Sequence, residues 1–143
     1  MELDLDQDYI ANGLVRFVYK HFIILGAESQ WAAEASECAA EQNAFWAYHD
    51  KLFANQSGEN KGAFSKDKLE GFARDIGLNM STFRQCVQAG KYATKVAQDS
   101  QEARVRGFRG TPTVIVGETV IPGLVNYTQL KQVIAAELEK ARK

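Results

Sequence analysis

The sequence predicts an α/β fold in which a short sheet is interrupted by a block of helices. Three observations carry that reading. Leu14-Val15-Arg16-Phe17-Val18-Tyr19-Lys20-His21-Phe22 alternates and is rich in branched and aromatic residues, as strands are. From Glu28 to Arg106 apolar residues recur every three or four positions, the helical period. Gly110-Thr111-Pro112-Thr113-Val114-Ile115-Val116-Gly117 then returns to a β-branched run bounded by glycines, and an amphipathic segment follows it.

Taken in order, residues 1–13 read as the tail of a helix, with Leu5, Tyr9 and Ile10 at helical spacing and Asn12-Gly13 as its stop. The chain is thus expected to begin inside an element. Leu14 to Phe22 is a strand. The stripe Trp31, Ala35, Cys38, Gln42, Phe45, His49, Leu52 makes Glu28 to Phe53 one amphipathic helix, or two with a break near Asn43. Gln56 to Gly62 is a polar loop. Ser65 is placed to cap a helix bearing Leu69, Phe72, Ala73 and Ile76, which Gly77 ends. Asn79 caps the next, with Phe83, Cys86 and Val87 inward and Gly90 as the stop. Tyr92 to Arg106 is a further helix, with Tyr92, Val96 and Ala103 on one side. Thr113 to Val116 and Thr119-Val120-Ile121 form a hairpin around Gly117-Glu118, broken at Pro122-Gly123. Asn126 or Thr128 caps a last helix that turns Tyr127, Leu130, Val133, Ile134 and Leu138 inward. The Lys140-to-Lys143 tail is solvated.

Pro112 sits where a central strand tolerates proline, at the start. Local chemistry leaves two readings open: a strand beginning in trans, or a cis Thr111-Pro112 bond that offers free backbone N–H and C=O groups to an extended ligand.

A chain of 143 residues fits one domain with a real core. Seventeen Lys and Arg against 18 Asp and Glu, a formal net charge of -1, give no electrostatic reason to expect nucleic acid. No apolar run approaches the roughly 18 residues a bilayer span needs, so no membrane partner is expected. The acidic start, Met1-Glu2-Leu3-Asp4-Leu5-Asp6, lacks the basic and apolar regions of a signal peptide, so the chain shows no address. The two cysteines, Cys38 and Cys86, form no Cys-x-x-Cys pair. Buried thiols in a reducing compartment and a disulfide between them are competing readings, and composition does not choose. Neither cysteine has histidines at zinc-site spacing, so no metal or cofactor is expected. The two histidines default to structural roles, His21 at a strand end and His49 on the buried stripe. Lys91, Lys95, Arg104, Arg106 and Arg109 are scattered and read as a solvated face.

Several blocks together resemble the bacterial DsbA-type thiol:disulfide oxidoreductases of the thioredoxin superfamily. Val15 to Phe22 opens the match. Ala33 to Cys38 with Ala39-Ala40-Glu41-Gln42, Phe45-Trp46 and His49-Asp50-Lys51-Leu52-Phe53 continue it. Gly77-Leu78 with Phe83-Arg84-Gln85-Cys86, Gly90-Lys91-Tyr92, and Gly107 to Gly110 leading into Thr111-Pro112-Thr113 follow in order. Gly123 and Tyr127 to Val133 close it, so the resemblance spans residues 9 to 138. It implies a single domain over 1–143 with a thioredoxin-like part in 14–22 and 111–138 and a helical insertion over about 28–106. It also implies that Gly110, Thr111 and Pro112 form a cis-proline loop holding extended polypeptide substrates, and that the protein works in the periplasm or elsewhere outside the cytoplasm. Some relatives bond cysteines at the places of Cys38 and Cys86, which implies a structural disulfide here. Closing 48 residues, 86 minus 38, would remove roughly 4 kcal/mol of unfolded-chain entropy in the loop-closure model.

The chain also departs from that family. Members carry a strand and then Cys-x-x-Cys at a helix start, where the helix N-terminus lowers the first thiol's pKa. Here that helix is expected only as its tail, without the N-terminal strand or the redox cysteines, so no catalytic residue is assigned. Ile23-Ile24 replaces prolines common in relatives, a neutral change. Three functional readings follow: a fragment of a disulfide-exchange protein, a redox-silent peptide-binding module around Thr111-Pro112, or a homo-oligomer or strand-swapped dimer in which another chain completes the sheet.

Overall fold

Short-range chemistry decides several of the helix ends. The computed structural model describes residues 2–143. Its first element, α1 (Glu2–Leu5), runs into a π-helical turn at Asp6–Ile10. That turn closes with Gly13 N–H donating to the Ile10 carbonyl (2.9 Å) and Leu14 N–H to that of Tyr9 (3.0 Å). Helix α2 (Ala27–Ala40) is separated from α3 (Phe45–Ala54) at Asn43, whose φ of 57° puts it in the left-handed region. The paired bonds Asn43 N–H to Ala40 O and Ala44 N–H to Ala39 O, both 3.0 Å, are the Schellman pattern. There are therefore two helices over the long apolar stripe, broken at Asn43.

Helices α4 (Lys66–Asp75), α5 (Met80–Gln88) and α6 (Ala93–Val105) follow. Asn79 caps α5 by accepting from Thr82 N–H at 3.0 Å. Ser65 holds the cap position of α4, yet its side chain makes no capping bond; its carbonyl accepts from Leu69 N–H at 2.9 Å instead. Strands β1 (Thr113–Val116) and β2 (Thr119–Pro122) pair antiparallel, Thr113 opposite Pro122 and Val116 opposite Thr119, which leaves Gly117-Glu118 as a two-residue turn. The choice of cap for α7 (Tyr127–Ala141) falls on Asn126, which accepts from Gln129 N–H at 2.9 Å.

Two compact units emerge among the described residues, 2–20 with 104–143, and 21–103. In the first, Leu5, Leu130 and Ile134 are buried, and Tyr9, Ile10, Val114, Val116 and Ile121 pack on them. The helical N-terminal segment, the hairpin and one face of α7 thus share a core. The Tyr127 hydroxyl ties the same elements, lying 2.6 Å from Asp8 Oδ2 and 2.9 Å from the Asp4 carbonyl oxygen. In the second unit, small residues of α2 (Ala32, Ala35, Ala39) let α3, α4 and α5 approach closely around Tyr48, Leu69, Phe72 and Phe83. Tyr48 is wholly buried, and its hydroxyl donates to the Leu69 carbonyl at 2.9 Å. That bond satisfies the one polar atom of the ring in an apolar core.

Two expectations fail. Residues 14–22 form no strand; from Val15 to Ile24 the chain has no regular secondary structure. Alternation makes a segment competent for a ladder, but a ladder needs a neighbour, and the sheet among the described residues contains β1 and β2 only. Trp31, expected inward, is at the surface, with the Lys66 ammonium 5.0 Å from its ring centroid.

Candidate functional site

The loop that leaves α6, Arg106-Gly107-Phe108-Arg109-Gly110-Thr111-Pro112, sets two glycines among larger side chains. Gly107 (φ 78°) turns the chain with its N–H donating to the Arg104 carbonyl at 2.9 Å. The Thr111–Pro112 peptide bond is cis. Two contacts then fix the loop's ends. Thr113 Oγ1–H donates to the Gly110 carbonyl at 2.8 Å, and Gly123 N–H donates to the Pro112 carbonyl at 2.8 Å. The carbonyls on both sides of Thr111 are thereby occupied. Thr111 itself is exposed, and among the described residues its own N–H and C=O make no hydrogen bond.

An open groove of about 450 Å³ runs along this loop. Gly110, Thr111 and Pro112 all line it, joined across the hairpin by Val120, Pro122 and Gly123. Positions 120 and 122 share one face of β2 because side chains alternate along a strand. Half-buried Phe108 adds an apolar wall, and Arg106 and Arg109 add positive charge. Exposed backbone donors and acceptors beside an apolar floor suit a ligand that is itself an extended chain.

Cys38 of α2 and Cys86 of α5 are joined by a disulfide, with their Cα atoms 5.9 Å apart. Both are buried, at 1% and 5% exposure, and the bond belongs to the helical unit, whereas the groove belongs to the other. The histidines are also in the helical unit. His21 is buried, with Nε2 2.8 Å from Glu37 Oε1, and burial lowers its pKa from the ordinary 6.5 against the pull of Glu37. His49 lies among Phe45, Trp46 and Phe53, with Nδ1 3.0 Å from Asp50 Oδ1. No group of three or more His, Cys, Asp or Glu among the described residues is arranged to hold a metal.

Arg106 and Arg109 were not legible as site residues. Read as part of a scattered basic set, they take different places from the rest of it: Lys91 pairs with Glu41, and Lys95 sits 2.8 Å from Glu37 and 3.3 Å from Asp99, whereas the two arginines line the groove. The available signal is their position, Arg106 directly before the Gly107-to-Gly110 turn and Arg109 within it.

Comparison with known proteins fits this arrangement. A family model described as Thioredoxin (Thioredoxin_4) matches residues 1–136. Disulfide bond formation protein D of Bacillus subtilis is 27% identical over 138 residues, which is 94% of this chain and 62% of that protein. Na(+)/H(+) antiporter NhaA 3 of Salinispora tropica is 35% identical over 130 residues, 90% of this chain but 19% of the antiporter. The chain therefore spans less than two thirds of the length of these relatives. The crystal structure of oxidised BdbD from Bacillus subtilis superposes with a TM-score of 0.85 at 26% identity, covering 96% of this chain and 76% of that one. The chain belongs to the DsbA-like thiol:disulfide oxidoreductases of the thioredoxin superfamily.

Proposed function

We propose that this chain is the polypeptide-holding part of a protein that exchanges disulfides in substrates outside the cytoplasm. The observation that carries the reading is Thr111: exposed, with its N–H and C=O open to a ligand while the carbonyls of Gly110 and Pro112 are engaged. An extended segment pairs with such a residue as one strand pairs with another. Disulfide exchange runs by a thiolate that attacks a substrate disulfide, forms a mixed disulfide and expels a substrate thiolate; a second thiol then resolves it. The sequence contains no Cys-x-x-Cys, and its two cysteines are buried and bonded to each other. This stretch therefore binds without exchanging. The antiporter's activity belongs to a protein of which this chain covers 19%, and it is not carried over.

Two measurements on the same preparation test the reading. In an insulin-reduction assay with dithiothreitol the chain should leave the rate at the buffer value. A labelled, cysteine-free, valine-rich heptapeptide should bind, and Thr111→Arg should weaken that binding about tenfold or more, the loss of at least 1.4 kcal/mol of contact. Catalysed insulin reduction, or binding indifferent to Thr111→Arg, would refute it.

A second reading rests on the sheet. The edge of β1 away from β2 has no strand beside it among the described residues, and open edges recruit strands from other chains. If a second copy completes the sheet, light scattering at micromolar concentration shows a dimer, and Ile115→Lys, at the exposed position of β1, returns it to monomer. A strict monomer removes this reading.

A further inference from the structure

The groove is electrostatically one-sided. Arg106 and Arg109 line it, and among the described residues no acidic side chain does. Several basic side chains of the chain are engaged: Lys51 with Asp75 at 2.9 Å, Arg84 with Glu70 at 2.8 Å, Lys140 with Glu137 at 2.7 Å. Arg109 is not one of them. It is exposed and makes no ion pair or hydrogen bond among the described residues. Its guanidinium has a fork of donors matched to a carboxylate, and Arg109 lines the same groove as the apolar Phe108 and Val120. A carboxylate brought there sheds part of its water, which strengthens the pair relative to one on open surface. The whole chain, with a formal net charge of -1, does not attract anions in general. Any preference for acid must therefore arise locally.

We propose that the groove selects extended polypeptide segments that carry an Asp or Glu side chain, paired with Arg109, next to an apolar residue resting on Phe108 and Val120. This rests on the polypeptide-holding reading and adds to it a substrate class. Thr111 supplies affinity through the backbone, which every sequence shares. Arg109 supplies the discrimination, because it answers to a side chain.

The test uses the whole chain and three fluorescein-labelled, cysteine-free heptapeptides that are identical except for a central Asp, Asn or Lys between valines. Fluorescence polarisation should rank them Asp, then Asn, then Lys, with the Asp peptide about threefold to tenfold tighter than the Asn peptide at low salt. The gap should shrink in 0.5 M NaCl. Arg109→Gln, at an exposed position, should bring the Asp peptide to within about twofold of the Asn peptide; Arg109→Lys should retain part of the gap. An Asp peptide no tighter than its Asn counterpart, or an advantage that survives Arg109→Gln, overturns the proposal and leaves the holding role standing. If none of the three peptides binds, or if Thr111→Arg leaves the Asn peptide's affinity intact, the holding role fails and the proposal fails with it.

Discussion

His21 carries a pH dependence that its neighbours explain. Its Nε2 faces Glu37, its backbone N–H donates to Asp99 Oδ2 at 3.2 Å, and Lys95 pairs with both carboxylates. Burial outweighs Glu37 and leaves the ring harder to protonate in the folded state than the ordinary 6.5. Below that value the unfolded chain takes up a proton that the folded chain refuses. The contribution of His21 to stability is therefore complete above pH 6.5 and declines as the pH falls toward the lowered folded value. Urea unfolding at pH 7.5 and 5.5 should show a smaller acid loss in His21→Gln, which keeps an N–H donor for Glu37 but cannot titrate, than in the parent chain. Parallel losses in the two proteins would show that His21 is not the group responsible.

At the scale of elements, Asn43 sets the corner between α2 and α3. Its φ of 57° is a conformation that β-branched residues resist, while glycine adopts it freely. Asn43→Val should cost about 1–2 kcal/mol in chemical denaturation and Asn43→Gly should be neutral or stabilising. Equal effects of the two would place the corner's origin in packing. This corner was legible in the sequence for the same reason that the caps at Asn79 and Asn126 and the stops at Gly77 and Gly90 were: each is decided by atoms within about five residues. The segment from Leu14 to Phe22 was misread because a strand is a relation between distant segments, and its sequence records only one partner. The groove was legible by halves. Backbone chemistry alone leaves cis and trans open at Thr111-Pro112, and only the family resemblance assigns Gly110, Thr111 and Pro112 to a substrate loop, while the apolar floor at Val120 and Pro122 exists only once the hairpin register places them opposite the loop. Arg109 escaped notice because a lone arginine acquires meaning only when the absence of a carboxylate around it is known. Trp31 erred the other way, since helical period assigns a face but not how far that face is covered.

Each unit of the molecule has its own apolar cluster, and the Cys38–Cys86 disulfide lies within only one of them. The bond joins α2 to α5 across a sequence separation of 48 residues. In the loop-closure model, removing it returns roughly 4 kcal/mol of entropy to the unfolded chain. If the units open separately, that loss falls on the helical one alone. The double variant Cys38→Ala, Cys86→Ala, followed by hydrogen exchange, should then lose up to about a thousandfold of amide protection in α2, α4 and α5. Amides of β1, β2 and α7, whose core of Leu5, Leu130 and Ile134 contains no sulfur, should change by less than about tenfold. The separation follows from where the contacts are: a cross-link stabilises the segment whose unfolded state it restricts, and the amides that report on it are those exposed only when that segment opens. Equal loss of protection in α7 and α2 would mean that the chain opens as one cooperative body, with the disulfide then stabilising the groove as much as the helices around it.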